Sequence, residues 1–241
     1  KENGKKVIAS SVDNIPRYSL ELLSKDSMIV LGDANMNESA EFAVKYSLQN
    51  ENCIERIFVH FSAYEKFIST ILEKMKKIKT GNPFTCVDVG PLSTEEMRNK
   101  VINQIEDARR KGAKILHGGT KHESLGYYIE PVLIENINDK HELMRDETFG
   151  PVIAVQKYVE IDEIVDKINK SPFGLGATIW TSKIKKAAEI AKKLEVGMIG
   201  INKHITATSG SHHFGMKQRG NGYMGCKESL KFFTYPKKYT Y

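Results

Sequence analysis

Side chains able to do covalent chemistry are few: three cysteines, Cys53, Cys86 and Cys226, in 241 residues. A thiol can form a disulfide, bind a metal or attack an electrophile, and spacing separates these uses. The count is odd and no C-x-x-C occurs, so neither a disulfide framework nor a zinc knuckle is indicated. A reducing, cytoplasmic setting follows as the default. His212 and His213 are adjacent, and neighbours in extended chain point to opposite sides. They read as loop residues, and no metal is expected. No G-x-G-x-x-G turn for a dinucleotide phosphate is present. Taken alone, these residues announce no reaction.

The elements that must position such groups are easier to read. Short apolar runs (Met28 to Leu31, Ile57 to Val59, Val152 to Val155, Ala177 to Trp180, Met198 to Ile201) alternate with helical segments. Tyr64, Phe67, Ile68, Ile71, Leu72, Met75 and Ile78 mark one helix face. Helices are also predicted at about Asn37 to Leu48, after a Ser93-x-x-Glu96 capping box and up to Gly112, at Asp162 to Lys170, and around Ile184 to Leu194. Wholly apolar strands between helices predict an α/β fold, a mostly parallel sheet covered by helices on both faces. Thr206 to Gly222, rich in Gly, Ser, Thr and His, predicts a long loop. A short helix at Glu228 to Phe233 and an extended tail follow.

The formal charge of +6 raises nucleic acid as a partner. The lysines, such as Lys74, Lys76, Lys77 and Lys79, alternate with apolar positions, as the solvated face of an amphipathic helix requires. No nucleic-acid motif accompanies them. No apolar run approaches the ~18 residues of a membrane span. The start, Lys1 to Lys6, has no signal-peptide core. Neither nucleic acid nor membrane is therefore an expected partner.

Six stretches, in order, resemble the aldehyde dehydrogenase family. Leu20-Glu21-Leu22-Leu23-Ser24-Lys25 is similar to its L-E-L-G-G-K, and Ile29 to Ala34 to the strand and acidic turn that follow. Gly90-Pro91-Leu92 with Lys111-Gly112-Ala113-Lys114-Ile115-Leu116-His117-Gly118-Gly119 is similar to its G-P-L and K-G-A region. Asp146-Glu147-Thr148-Phe149-Gly150-Pro151-Val152 is close to E-E-x-F-G-P-V. Phe173 to Ala177 resembles Y-G-L-x-[AS], and Val196 to Asn202 the strand ending in asparagine. The resemblance covers essentially the whole chain.

That likeness implies oxidation of an aldehyde to an acid with NAD or NADP through a cysteine thioester. It implies Glu21 as the base that activates the hydrolytic water, and Glu147 and Phe149 as the residues at the nicotinamide ribose and ring. Cys53 is the candidate nucleophile. Counting back from Arg56 by the family spacing lands on Glu51, and counting forward from Asp33 lands on Glu55, with Cys53 between. The family's G-Q before the cysteine is absent. Leu23 and Ser24 replace two glycines, whose lack of a side chain permits close backbone approach. Gly150-Pro151 reads as a turn, and Asn169 and Asn202 as cap or turn residues. Phe214 to Gly222 resembles the family's glycine-rich return loop with one residue missing.

Three segments are expected: 1–22 as a remnant of the cofactor-binding domain, 23–205 as the catalytic α/β domain, and 206–241 as return loop and oligomerisation strand. The resemblance places most of the dinucleotide-binding domain before this sequence, so NAD(P) is not expected to bind to these residues alone. A small-molecule aldehyde, and either copies of the chain or a missing amino-terminal half, are the expected partners. The competing reading is a catalytically dead relative that serves as a binding or oligomerisation module.

Overall fold

The computed structural model describes residues 2–48, 53–120, 126–205 and 212–241. Its centre is a seven-stranded sheet. The strands are β2 (Asp26–Val30), β3 (Ile54–His60), β4 (Lys114–His117), β5 (Val132–Glu135), β6 (Val152–Tyr158), β8 (Gly176–Trp180) and β9 (Met198–Ile201). They lie in the order β4-β5-β6-β3-β2-β8-β9. Every neighbouring pair is parallel except β4 with β5.

Both faces are covered, which is why the strands read as uninterrupted apolar runs. Along β2, Ile29 points to one side with Phe58, Ala154 and Ile179. There it meets α4 (Glu95–Arg110), α6 (Ile161–Lys170) and α7 (Ile184–Lys193) through Val101, Ile105, Ile164 and Ala187. Met28 and Val30 point the other way with Ile57 and Val59. On that face they pack on α2 (Met36–Ser47) and α3 (Tyr64–Met75) through Ala40, Phe67 and Ile71. The two-residue period of a strand produces this division.

The remaining elements lie around the sheet. They are α1 (Glu2–Ser11) with a 3-10 turn at Val12–Asn14, α5 (Glu142–Arg145) and α8 (Lys227–Phe232). Two small antiparallel pairs tie the return segment down. β1 (Leu20–Glu21) pairs with β11 (Gly220–Asn221), and β7 (Phe173–Gly174) with β10 (Met216–Lys217). No described helix is long and apolar enough to cross a membrane. Residues 206–211 of the predicted loop lie outside the described residues.

Three details differ from the sequence expectations. The cap of α4 is Thr94 rather than Ser93: Thr94 is extended and its Oγ1 accepts from Met97 N at 3.2 Å. A strand not anticipated, β5, follows Pro131 and pairs antiparallel with β4, which sets that edge against the parallel rest of the sheet. The first stretch, unassigned from sequence, forms α1. Asn169 and Asn202, expected as cap or turn residues, cross-link segments distant in sequence. Asn169 bonds Lys193 O and Glu195 N, and Asn202 bonds Thr181 O and Thr181 N, all at 2.8–2.9 Å.

Candidate functional site

The candidate site lies at the amino-terminal ends of the central strands. Because β2 and β3 are parallel neighbours, the residues that open each strand are brought side by side: Lys25 and Asp26 on one, Cys53, Glu55 and Arg56 on the other. All five are buried. Glu55 is the hub. Its Oε2 accepts from Lys25 Nζ at 2.6 Å and from Thr148 N at 2.8 Å. Its Oε1 accepts from Phe149 N at 2.7 Å and from the Cys53 thiol at 3.5 Å. Lys25 Nζ also donates to Thr148 Oγ1 at 3.1 Å, and Arg56 Nη2 to Lys25 O at 2.9 Å. A buried charge requires partners of this kind, and the carboxylate here has four.

Burial dominates the ionisation of this group. It lowers the Lys25 ammonium below its usual range against the opposing pull of Glu55, and brings Arg56 down to about 10. It raises Asp26 to about 8, with the Gly176 amide opposing. The Cys53 thiol, 2% exposed, is pushed well up by burial and then by the Glu55 and Asp26 carboxylates, with Lys25 pulling the other way. A thiol in such a setting is neutral at pH 7, the opposite of the electropositive, partly open surroundings that activate a nucleophile.

Glu147 and Phe149 flank the hub. Ser24 N donates to Glu147 Oε1 at 2.9 Å, so the segment that leads into β2 holds this carboxylate through its backbone. Burial raises the Glu147 carboxyl above its ordinary range. Phe149 has a left-handed backbone (φ 51°) fastened by its N–H to Glu55, and the residue remains 37% exposed.

Glu21 sits apart from the thiol, on β1. Its Oε1 accepts from His213 Nε2 at 2.9 Å and from the Arg219 guanidinium, which also donates to Leu22 O. Phe214, Asn221 and Ser19 complete a small hollow around it. The carboxylate is thus held by groups of the return loop. No hydrogen bond joins it to Cys53 among the described residues, and Glu51 lies outside them.

Sequence reasoning passed over Lys25, Asp26, Glu55, Arg56, Thr148, His213 and Arg219. One signal was available: Lys25-Asp26, one residue ahead of Met28 to Leu31, and Glu55-Arg56, next to Ile57 to Val59, set charged residues where a strand is about to enter the core. The burial of Cys53 has a direct consequence in solution. Alkylation of Cys53 in the native protein should lag that of exposed Cys86 by at least about tenfold, since each pH unit by which a thiol's pKa rises removes about 90% of its thiolate. Peptide mass mapping after a timed iodoacetamide pulse reads this, and equal rates would show an open, activated Cys53.

A mostly parallel sheet covered on both faces, with a carboxylate-and-thiol cluster at the amino-terminal ends of its central strands, defines an α/β domain. The model of the aldehyde dehydrogenase family matches residues 1–239, and the chain belongs to that family. Aldehyde dehydrogenase 1A1 of Homo sapiens is 34% identical over 220 residues, which cover 89% of this chain and 44% of the human protein. Among solved structures, succinate-semialdehyde dehydrogenase from Burkholderia pseudomallei superposes with a TM-score of 0.92 at 28% identity, over 96% of this chain and 49% of that one. Lactaldehyde dehydrogenase from Escherichia coli gives 0.89 at 30% identity, over 94% and 49%. Betaine aldehyde dehydrogenase from Staphylococcus aureus, in a structure with NAD+, gives 0.89 at 30% identity, over 95% and 47%. The chain thus spans about half the length of the relatives it matches.

Proposed function

We propose that these residues form the catalytic-domain half of an NAD(P)-linked aldehyde dehydrogenase, acting on a small-molecule aldehyde, and that by themselves they do not turn over substrate. The observation that carries this reading is the convergence at one sheet edge. The strand-opening segment after Glu21 holds Glu147 through Ser24 N, and Glu55 joins Cys53 to Phe149. The nicotinamide supplies the hydride acceptor when bound. Glu147 would accept from its ribose hydroxyls, and the exposed face of Phe149 would support the ring. Glu21, once released by Arg219 and His213, would take a proton from the water that hydrolyses the thioester, and Cys53 would carry the acyl group.

The burial of Cys53 and the grip on Glu21 favour a second reading, a catalytically silent family member kept for binding or oligomerisation. Residues 234–241 carry no helix or strand within this chain, and Tyr235, Tyr239 and Tyr241 are exposed. That accords with a tail that pairs with another copy.

Calorimetric titration of the 241-residue protein with NAD and with NADP tests the first reading. No heat of binding is expected, because the relatives' other half has no counterpart here to cradle the pyrophosphate. Clear micromolar binding would sink it. The longest natural polypeptide that contains these residues should then be assayed over an aldehyde panel. An acyl adduct on Cys53 by intact-mass and peptide analysis supports the enzyme, and bound cofactor without turnover supports the silent module.

A further inference from the structure

The return loop and α8 bring together a second set of donor atoms, away from the Cys53 cluster. His212, Cys226 and Glu228 each offer one ligand-type atom, and the three atoms lie within 4.8 Å of one another. His212 Nε2 is 3.1 Å from Glu228 Oε2, with the Cys226 sulfur beside them. The adjacent histidines diverge as extended chain requires, His213 to Glu21 and His212 to Glu228. Their spacing in the sequence gives no hint of what His212 meets on the far side of the turn.

The backbone holds the set in place without help from an ion. His213 N donates to Met224 O at 3.1 Å and Met224 N to His213 O at 3.0 Å, so the segments that carry His212 and Cys226 are clamped side by side. Gly225, at φ 73°, turns the chain from that bridge into α8. Ser229 Oγ donates to Cys226 O at 2.6 Å and accepts from Cys226 N at 3.3 Å. The His212 imidazole stands edge-on to Tyr223, with ring centroids 5.7 Å apart, and to Phe214 at 6.5 Å.

Zinc bonds imidazole nitrogen, carboxylate oxygen and thiolate at about 2.0–2.3 Å, which puts tetrahedral ligand atoms roughly 3.3–3.8 Å apart. The His212–Glu228 separation already falls close to that, and the remaining approach is within the swing of a side chain. One thiolate, one imidazole and one carboxylate suit a borderline transition ion and not magnesium or calcium, which prefer all-oxygen shells. Cys226 is buried while His212 and Glu228 are half-exposed, so an ion has a path from solvent.

We propose that His212, Cys226 and Glu228 form a binding site for a zinc-class divalent cation, with water in the fourth position, that staples the return loop to α8. Binding takes the Cys226 thiol proton to solvent, leaving a thiolate on the metal. Because His213 is the next residue and holds Glu21, the staple also stiffens the segment that grips the candidate base.

The 241-residue protein titrated with Co(II) should bind one equivalent with thiolate-to-cobalt charge-transfer absorption, and Zn(II) should bleach it. Zinc should also slow alkylation of Cys226 more than about tenfold while leaving Cys86 unchanged, because a coordinated thiolate is withheld from the reagent. His212→Ala alters a half-exposed side chain and should keep the circular dichroism of the parent. Losing a direct ligand should weaken zinc by about 100-fold or more, beyond the cost of losing an outer-shell partner. Absence of the charge-transfer band, or protection of Cys226 that persists in His212→Ala, overturns the site.

Discussion

Replacing Lys25 with methionine should destabilise the protein by about 3–5 kcal/mol, because it removes the cation from a buried carboxylate and leaves the charge behind. Glu55 is 4% exposed in its side chain and Lys25 Nζ lies 2.6 Å away. Without the ammonium, Glu55 retains the Thr148 and Phe149 amides and the Cys53 thiol, but no positive partner at contact distance. Lys25→Met preserves most of the volume, so cavity formation adds little. Urea unfolding should show a lower midpoint with an unchanged slope, and the melting temperature should fall by roughly 10 °C. The double variant Lys25→Met/Glu55→Gln discriminates the cause. A glutamine oxygen still accepts from one of the Thr148 and Phe149 amides, its NH2 cannot accept from the other, and with no charge to strand, part of the lost stability should return. A loss under about 1 kcal/mol in the single variant, or no recovery in the double, would mean that Lys25 serves only as packing.

How much of this was readable beforehand depends on whether the cause is local. β2, β3 and β8 were visible as Met28 to Leu31, Ile57 to Val59 and Ala177 to Trp180, because a strand buried on both faces has no polar alternation to hide it. α3 was visible because Phe67, Ile68, Ile71 and Met75 all face the sheet. β5 was missed although Val132-Leu133-Ile134 is apolar, since three apolar residues after Pro131 carry no periodicity of their own and the antiparallel pairing with β4 is a fact of sheet order. The Lys25–Glu55 pair, separated by 30 residues, could not be inferred from spacing at all. It exists because β3 lies beside β2, a fact of sheet order. Glu21, Glu147 and Phe149 entered by resemblance to a family, and that gives positions without partners. That Glu21 meets Arg219 and His213, 198 and 192 residues away, follows from β1 pairing with β11, which two-residue strands scarcely announce. The same is true of His212, Cys226 and Glu228, whose spacing fits no metal motif and whose meeting depends on the bridge between His213 and Met224.

Asp26→Asn should flatten the pH dependence of stability between about pH 4 and pH 8, where Asp26 itself lowers the stability of the parent as pH rises. Asp26 is 1% exposed at the start of β2. Its Oδ1 accepts from Gly176 N at 3.1 Å, while its Oδ2 has no hydrogen-bond partner among the described residues. Burial is the leading cause of a carboxyl raised to about 8, Glu55 adds to it, and Arg219 and Arg56 oppose it. An acid whose pKa is higher in the folded than in the unfolded chain keeps its proton in the native state across that interval. The native state then binds more protons than the unfolded one, so its stability is fully present below about pH 4 and is lost as pH climbs through 8. The slope approaches about 1.4 kcal/mol per pH unit for one proton. Lys25, lowered by burial, contributes with the opposite sign at higher pH, but it is common to parent and variant and cancels in their difference. Asparagine keeps an oxygen for Gly176 N and cannot ionise, so Asp26→Asn should overtake the parent in stability above about pH 8 while falling near or below it at pH 4. Urea midpoints across that range, taken in parallel for both proteins, decide the matter: parallel curves would show that the Asp26 carboxyl ionises alike in folded and unfolded chain, and that the arginines beside it outweigh its burial.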